Sequence, residues 1–129
     1  MEYQYRLYRK ANGDCPVKNL LDELLTRNES AHALVVAGLR RMRFQHLHGE
    51  PLTKSLRPQW DLFELRAGGA RIFWIYRPKQ LIVLLDGIAY KGQRKLPRRV
   101  LKVVDGCRLD YLARCTGDEN DYDETPEER

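Results

Sequence analysis

Long apolar runs are missing from this sequence, and their absence excludes the simplest kind of membrane protein. No run is longer than that from Leu81 to Leu85, whereas a membrane-spanning helix needs roughly 18–20 apolar residues. The N-terminus, "MEYQYRLYRK", alternates and lacks the apolar stretch of a signal peptide. A cytoplasmic protein with no membrane partner is expected. Cysteine is scarce as well. Cys15, Cys107 and Cys115 form neither a CxxC pair nor an even framework. Reduced thiols are the simplest account, with no nucleophile among them and at least one of Cys107 and Cys115 packed as a small hydrophobe. Histidine is equally sparse. His46 and His48 stand in a loop stretch and His32 in a helical one, and no cysteine or carboxylate spacing completes a metal site around them. No metal and no cofactor are expected. No repeat and no second domain can be traced, which suits 129 residues around one modest core.

Charge is plentiful but uneven. Residues 116–129, "TGDENDYDETPEER", hold seven acids and one arginine, net −6. The other 115 residues hold 22 basic and 11 acidic side chains, net +11. A body that basic suits a polyanion such as nucleic acid. The expected organisation is a domain over 1–115 and an acidic, disordered tail over 116–129. The plain role of such a tail is solubility. The sharper one is to cover the basic site as a mimic of RNA.

Hydrophobic periodicity gives the elements. Residues 2–9 alternate and read as a strand. Pro16 opens a helix with Leu20, Leu21, Leu24 and Leu25 at helical spacing. Asn28 or Ser30 caps a second helix, striped by Leu34, Val35, Gly38, Leu39 and Met42. Its last turns carry Arg40, Arg41 and Arg43, which suit the helix dipole as well as an anionic partner. Residues 46–59 read as a loop. Strands follow at about 60–67, 70–77 and 80–89, the last apolar without alternation and so buried on both faces. Pro97 starts a final helix with Val100, Leu101, Val104, Leu109 and Leu112 as its apolar side. The order predicts an α+β fold: a small, mostly antiparallel sheet, two N-terminal helices and one C-terminal helix, with the helices packed on one face.

The stretch "ELRAGGARIF", residues 64–73, carries the first functional signal. With Gly68 and Gly69 as the two central residues of a hairpin, Arg66 faces Arg71 and Glu64 faces Phe73. Phe63, Leu65, Ile72 and Trp74 then share an apolar face, and Arg66, Arg71 and Glu64 share the other. Like charges directly opposite destabilise a strand pair. Glu64, water or a bound anion must offset them, unless the pair is simply a solvated hairpin end.

From Pro51 to Leu112 the chain resembles the RelE-like toxin superfamily, in its HigB-type and phage-derived branch. The resemblance rests on Leu52-Thr53-Lys54-Ser55-Leu56, Leu62-Phe63-Glu64-Leu65-Arg66, Arg71-Ile72-Phe73 and Ile82-Val83-Leu84-Leu85-Asp86-Gly87. Lys91, Lys95 and Pro97 continue the pattern, and Arg108, Asp110, Tyr111 and Leu112 close it. It covers about residues 17–113. Gly92 stands where the family has a second lysine, and Ala89 where an aromatic is common. The resemblance implies the RelE/ParE-like fold and the toxin of a type II toxin-antitoxin system, a metal-independent mRNA endoribonuclease acting on the ribosome. A cognate antitoxin, of helix-turn-helix type in this branch, would be its partner. Other readings are a non-catalytic nucleic-acid- or protein-binding module of the same fold, or a toxin directed at DNA gyrase.

RNA carries its own nucleophile, the 2′-OH, so cleavage needs no metal. Arg71 is the first candidate for a phosphate clamp, because its guanidinium fork matches two phosphate oxygens. Arg66 would share the task. Lys91 and Lys95 are candidates for backbone binding or proton transfer, and Tyr90 for stacking or proton donation. His46 or His48 is a further candidate for a general base. Lys54, Arg94, Arg98, Arg99, Arg40 and Arg41 are expected to contact RNA backbone.

Overall fold

The computed structural model describes residues 2–44, 48–89, 95–115 and 123–128. Strand β1 (Gln4–Leu7) leads into helices α1 (Pro16–Arg27) and α2 (Glu29–Phe44). Strands β2 (Thr53–Ser55), β3 (Phe63–Ala67), β4 (Ala70–Arg77) and β5 (Leu81–Ala89) follow, and α3 (Arg98–Arg114) closes the order. The five strands form one sheet in the order β1-β5-β4-β3-β2. β1 runs parallel to β5, and every other pairing is antiparallel. The α+β class with two N-terminal helices and one C-terminal helix is as expected. Among the described residues, no helix is long and apolar enough to cross a membrane.

The hairpin register is the one the Gly-Gly turn dictates. Arg66 pairs with Arg71, Glu64 with Phe73 and Phe63 with Trp74. Gly68 and Gly69 have φ of 61° and 76°, the double left-handed conformation of a type I′ turn. Gly68 also has no room for a side chain. A Cβ there would lie 2.7 Å from Ala31 O and 2.9 Å from Ala31 Cα. Both obstacles are backbone at the start of α2, so neither can swing aside. Gly68→Ala is therefore expected to cost about 2–4 kcal/mol, adding overpacking to the left-handed penalty. Urea unfolding with an unchanged slope would measure it. Gly69→Ala, which has the φ problem but open space, should cost only about 1 kcal/mol.

The helices are not gathered on one face. α1 and α2 cover one side of the sheet, where Val17, Leu20, Leu21, Leu24, Val35, Leu39 and Met42 pack on Tyr5, Leu65, Ile72, Trp74 and Leu84. α3 covers the other, where Val104, Cys107 and Tyr111 pack on Phe73, Ile75, Val83 and Leu85. The apolar run 81–85 demands this, since every residue in it is buried and neither face of β5 can be left to water. α3 also turns a different side inward from the expected one. Val104 is buried, but Leu109 and Leu112 are exposed, and Cys107 and Tyr111 complete the inner stripe. Burial pushes the Cys107 thiol up to about 11, as befits a packed rather than a reactive cysteine. Asn28 caps α2, its Oδ1 accepting the Ala31 N–H at 3.1 Å. β2 lies inside the stretch expected to be loop.

The acidic end of the chain corrects a second expectation. Residues 116–122 lie outside the described residues, but 123–128 are docked on the body. β1 is an edge strand, and its outward N–H groups are taken up by carboxylates. Tyr5 N donates to Asp123 Oδ1 at 3.1 Å, and Leu7 N donates to Glu124 Oε1 at 2.8 Å. Glu124 N donates back to Tyr5 O at 2.8 Å. Arg9 grips the Glu124 carboxylate with two N–H donors, at 3.0 and 2.7 Å. Arg43, buried in α2, is bound by Glu127 and Asp123 together. These six residues are thus a strap on the outer edge of the sheet, held by ion pairs and hydrogen bonds, with Pro126 buried among them.

Candidate nucleic-acid interface

On the α3 side of the sheet, alternation lines up Lys54, Glu64, Arg66 and Arg71. Lys54 pairs with Glu64 across β2 and β3, and Arg66 pairs with Arg71 across β3 and β4. These four border a cleft of about 260 Å³. Its other walls are Leu56, Arg57, Gln59 and Trp60 from the β2–β3 connection, and Lys95, Leu96 and Leu101 at the entry to α3. Among the described residues, the charged side chains on this lining are five cations and one carboxylate.

Glu64 organises the centre. Its side chain is 1 % exposed and lies between the two arginines. Arg66 Nε donates to Glu64 Oε1 at 2.6 Å. Arg71 Nη1 stands 3.5 Å from Glu64 Oε2. One buried carboxylate therefore offsets the like-charge conflict of the ladder: it is hydrogen-bonded to Arg66 and stands within ion-pair distance of Arg71 at the base of the cleft. The triad keeps a net positive charge. It presents two arginines, one a third exposed and one nearly buried, to whatever enters. Lys54 and Lys95, both exposed, stand on the rim.

The remaining candidates fall into three groups. Arg98 and Arg99 are exposed in the first turn of α3, just beyond Lys95. Arg40 and Arg41 lie on α2, which covers the opposite face of the sheet, and the structure does not bring them to the cleft. Arg40 Nη2 instead reaches Glu127 O at 3.4 Å. Tyr90, Lys91 and Arg94 lie outside the described residues, as does His46. His48 is placed on the α2 side as well. Its Nε2 donates to Met42 O at 2.8 Å, and its Nδ1 accepts from the Tyr76 hydroxyl. It stacks on the Tyr76 ring within a cluster that includes Tyr3 and Trp74. A histidine so engaged, across the sheet from the arginines, is a packing residue. His32 is buried in α2.

Trp60 and Arg57 are members of the cleft that the sequence reading did not single out. Their signal was present in "RPQWD", residues 57–61, an aromatic between a cation and a turn on the approach to a strand. Among the described residues no group of three or more His, Cys, Asp or Glu is placed to hold a metal ion.

Two comparisons bear on this geometry. The model of one known family, the phage-derived protein Gp49-like family (DUF891), matches residues 22–106. That stretch runs from within α1 to the middle of α3 and holds every residue that lines the cleft. A search of curated proteins found no match.

Proposed function

The chain belongs to the phage-derived Gp49-like family, commonly toxin-like, and from that premise and the cleft we propose that it is the toxin of a toxin-antitoxin pair that cleaves messenger RNA. The observation that carries the reading is the Arg66–Glu64–Arg71 triad at the base of a cleft rimmed by Lys54 and Lys95. Neither an apolar ligand nor a cation suits that lining. A phosphodiester does, because a guanidinium fork matches two phosphate oxygens and two such forks stand beside one shared carboxylate.

The reaction follows from the substrate. The 2′-oxygen attacks the adjacent phosphorus and loses its proton to a base. The bond to the 5′-oxygen breaks, and that oxygen takes up a proton. The products are a 2′,3′-cyclic phosphate and a 5′-OH. Negative charge builds on the phosphoryl oxygens in between, and preorganised cations there are worth about 3–4 kcal/mol of barrier each. Arg71 and Arg66 take that role, Glu64 positions them, and Trp60 stacks on a neighbouring base. Lys54 and Lys95, with Tyr90 and Lys91 carried over from the family pattern, are the proton-transfer and backbone-binding groups. We place the reaction on the ribosome, with an antitoxin as the neutralising partner.

The test is induction of the protein in cells, followed by mapping of mRNA 5′ ends. New 5′-OH ends phased within codons are expected. Growth arrest without them would direct the search to another target, such as gyrase.

A further inference from the structure

The reaction cleft does not end at Arg57. The same side chain lines a second pocket of about 160 Å³, between the outer ends of β3 and β4 and the C-terminal half of α3. Its lining includes Phe63, Ile75, Tyr76 and Leu112, with Phe63 also packed against the Trp74 and Tyr76 rings, and its cations are Arg57, Arg77 and Arg108. Asp61 is the one acid among the described residues of its lining, and it is bound to Arg57 at 2.8 Å. Arg108 is held in place by Asp105, whose Oδ1 accepts from its Nε at 2.8 Å. The Arg57 guanidinium lies 6.0 Å from the Phe63 ring centre. From Leu101, in the first pocket, to Arg108, in the second, α3 advances seven residues, or about 10 Å. The two pockets thus lie along the same helix and share the Arg57 side chain on their linings. Apolar and aromatic side chains beside several guanidiniums suit a base and its phosphate.

We propose that this second pocket is a binding subsite for a nucleotide flanking the scissile phosphate, and that it sets the base preference of cleavage at that position. The proposal rests on the reading of the first cleft as an RNA-cleaving site. Arg77 and Arg108 bind the flanking phosphate, Phe63 and Leu112 bound the space for its base, and Arg57 bridges the two pockets. Together they select single-stranded RNA long enough to fill both.

The test compares end maps from cells expressing wild type, Arg77→Gln/Arg108→Gln and Leu112→Ala, with thermal unfolding to confirm that each folds. The double variant should still produce 5′-OH ends, but about tenfold fewer at equal protein level and with the base preference kept, as the loss of phosphate contacts requires. Leu112→Ala, which widens the pocket, should admit bases that wild type rejects. A purely structural role for Leu112 would lower the yield of Leu112→Ala with its base preference intact, and that outcome overturns the proposal. So does an unchanged map in all three proteins. Absence of new ends in wild type overturns the reading of the first cleft, and this proposal with it.

Discussion

Glu64→Gln is expected to destabilise the protein strongly and to make its stability depend on added anion. The wild-type carboxylate is 1 % exposed and faces Arg66 at 2.6 Å and Arg71 at 3.5 Å. Without its charge, two guanidiniums paired across a ladder repel each other beside a buried amide. Removing one partner of a buried ion pair costs about 3–5 kcal/mol, and the third of Arg66 that water reaches places this case near the lower end. An oxyanion between the guanidiniums should then replace the carboxylate. Phosphate should raise the urea midpoint of Glu64→Gln more than that of wild type at matched ionic strength, as binding to the native state requires. No rise with phosphate in Glu64→Gln beyond that given by an inert salt of the same ionic strength would contradict the reading of the triad as an oxyanion site.

Glu127→Ala should have a comparable or larger effect on stability, although residue 127 is two positions from the end of the sequence. Arg43 and Glu127 side chains are only 7 % and 5 % exposed. Arg43 donates to both Glu127 oxygens, to Asp123 Oδ1 at 2.9 Å, to Glu124 O at 2.9 Å and to Tyr3 O at 3.2 Å. It also lies 4.6 Å over the Tyr5 ring. Burial disfavours the guanidinium charge, but the hydrogen bonds it donates to Glu127 and Asp123 more than offset that, and the net effect raises its pKa. Truncating Glu127 leaves this cation desolvated with a half-exposed Asp123 as its remaining carboxylate, a loss of about 3–5 kcal/mol. The strap should loosen with it. Hydrogen exchange at the Tyr5 and Leu7 amides should accelerate well beyond the change in global stability. Arg43→Met with Glu127→Met should recover much of the loss, because apolar packing replaces a buried pair well. A loss below about 1 kcal/mol for Glu127→Ala, the usual value for a solvated surface pair, would mean the strap is not held as described.

The parts of this structure that were legible in the sequence are those governed by local rules. The Gly-Gly turn fixed the register of the arginines because only glycine adopts both left-handed positions cheaply, and the period of two then sorted every side chain of the hairpin. α1 was legible from four leucines and a proline at its first turn, although Leu25 ended up exposed. β2 was not, because three residues are too few to show a period. The side of α3 that packs was misjudged because its inner stripe is Val104, Cys107 and Tyr111, while larger aliphatic residues face out. The strap was invisible for a different reason. A dense acidic stretch reads as solvated unless its cations are known, and Arg43 is some eighty residues away in sequence. The same long-range logic applies to the site. Arg66 and Arg71 could be paired from the turn alone, and the family pattern added Lys54 and Lys95. Trp60 and Arg57 joined them only once the β2–β3 connection had folded over the sheet.

The most direct test of the central claim, that the Glu64-bridged arginines are the reacting centre, is a comparison of wild type with Arg71→Ala at equal expression, scored by new 5′-OH ends on mRNA. The claim predicts abundant ends from wild type and a loss of about 10²–10³-fold in the variant, with the variant still folded by circular dichroism. Undiminished ends from a folded Arg71→Ala would contradict it and move the chemistry elsewhere on the molecule.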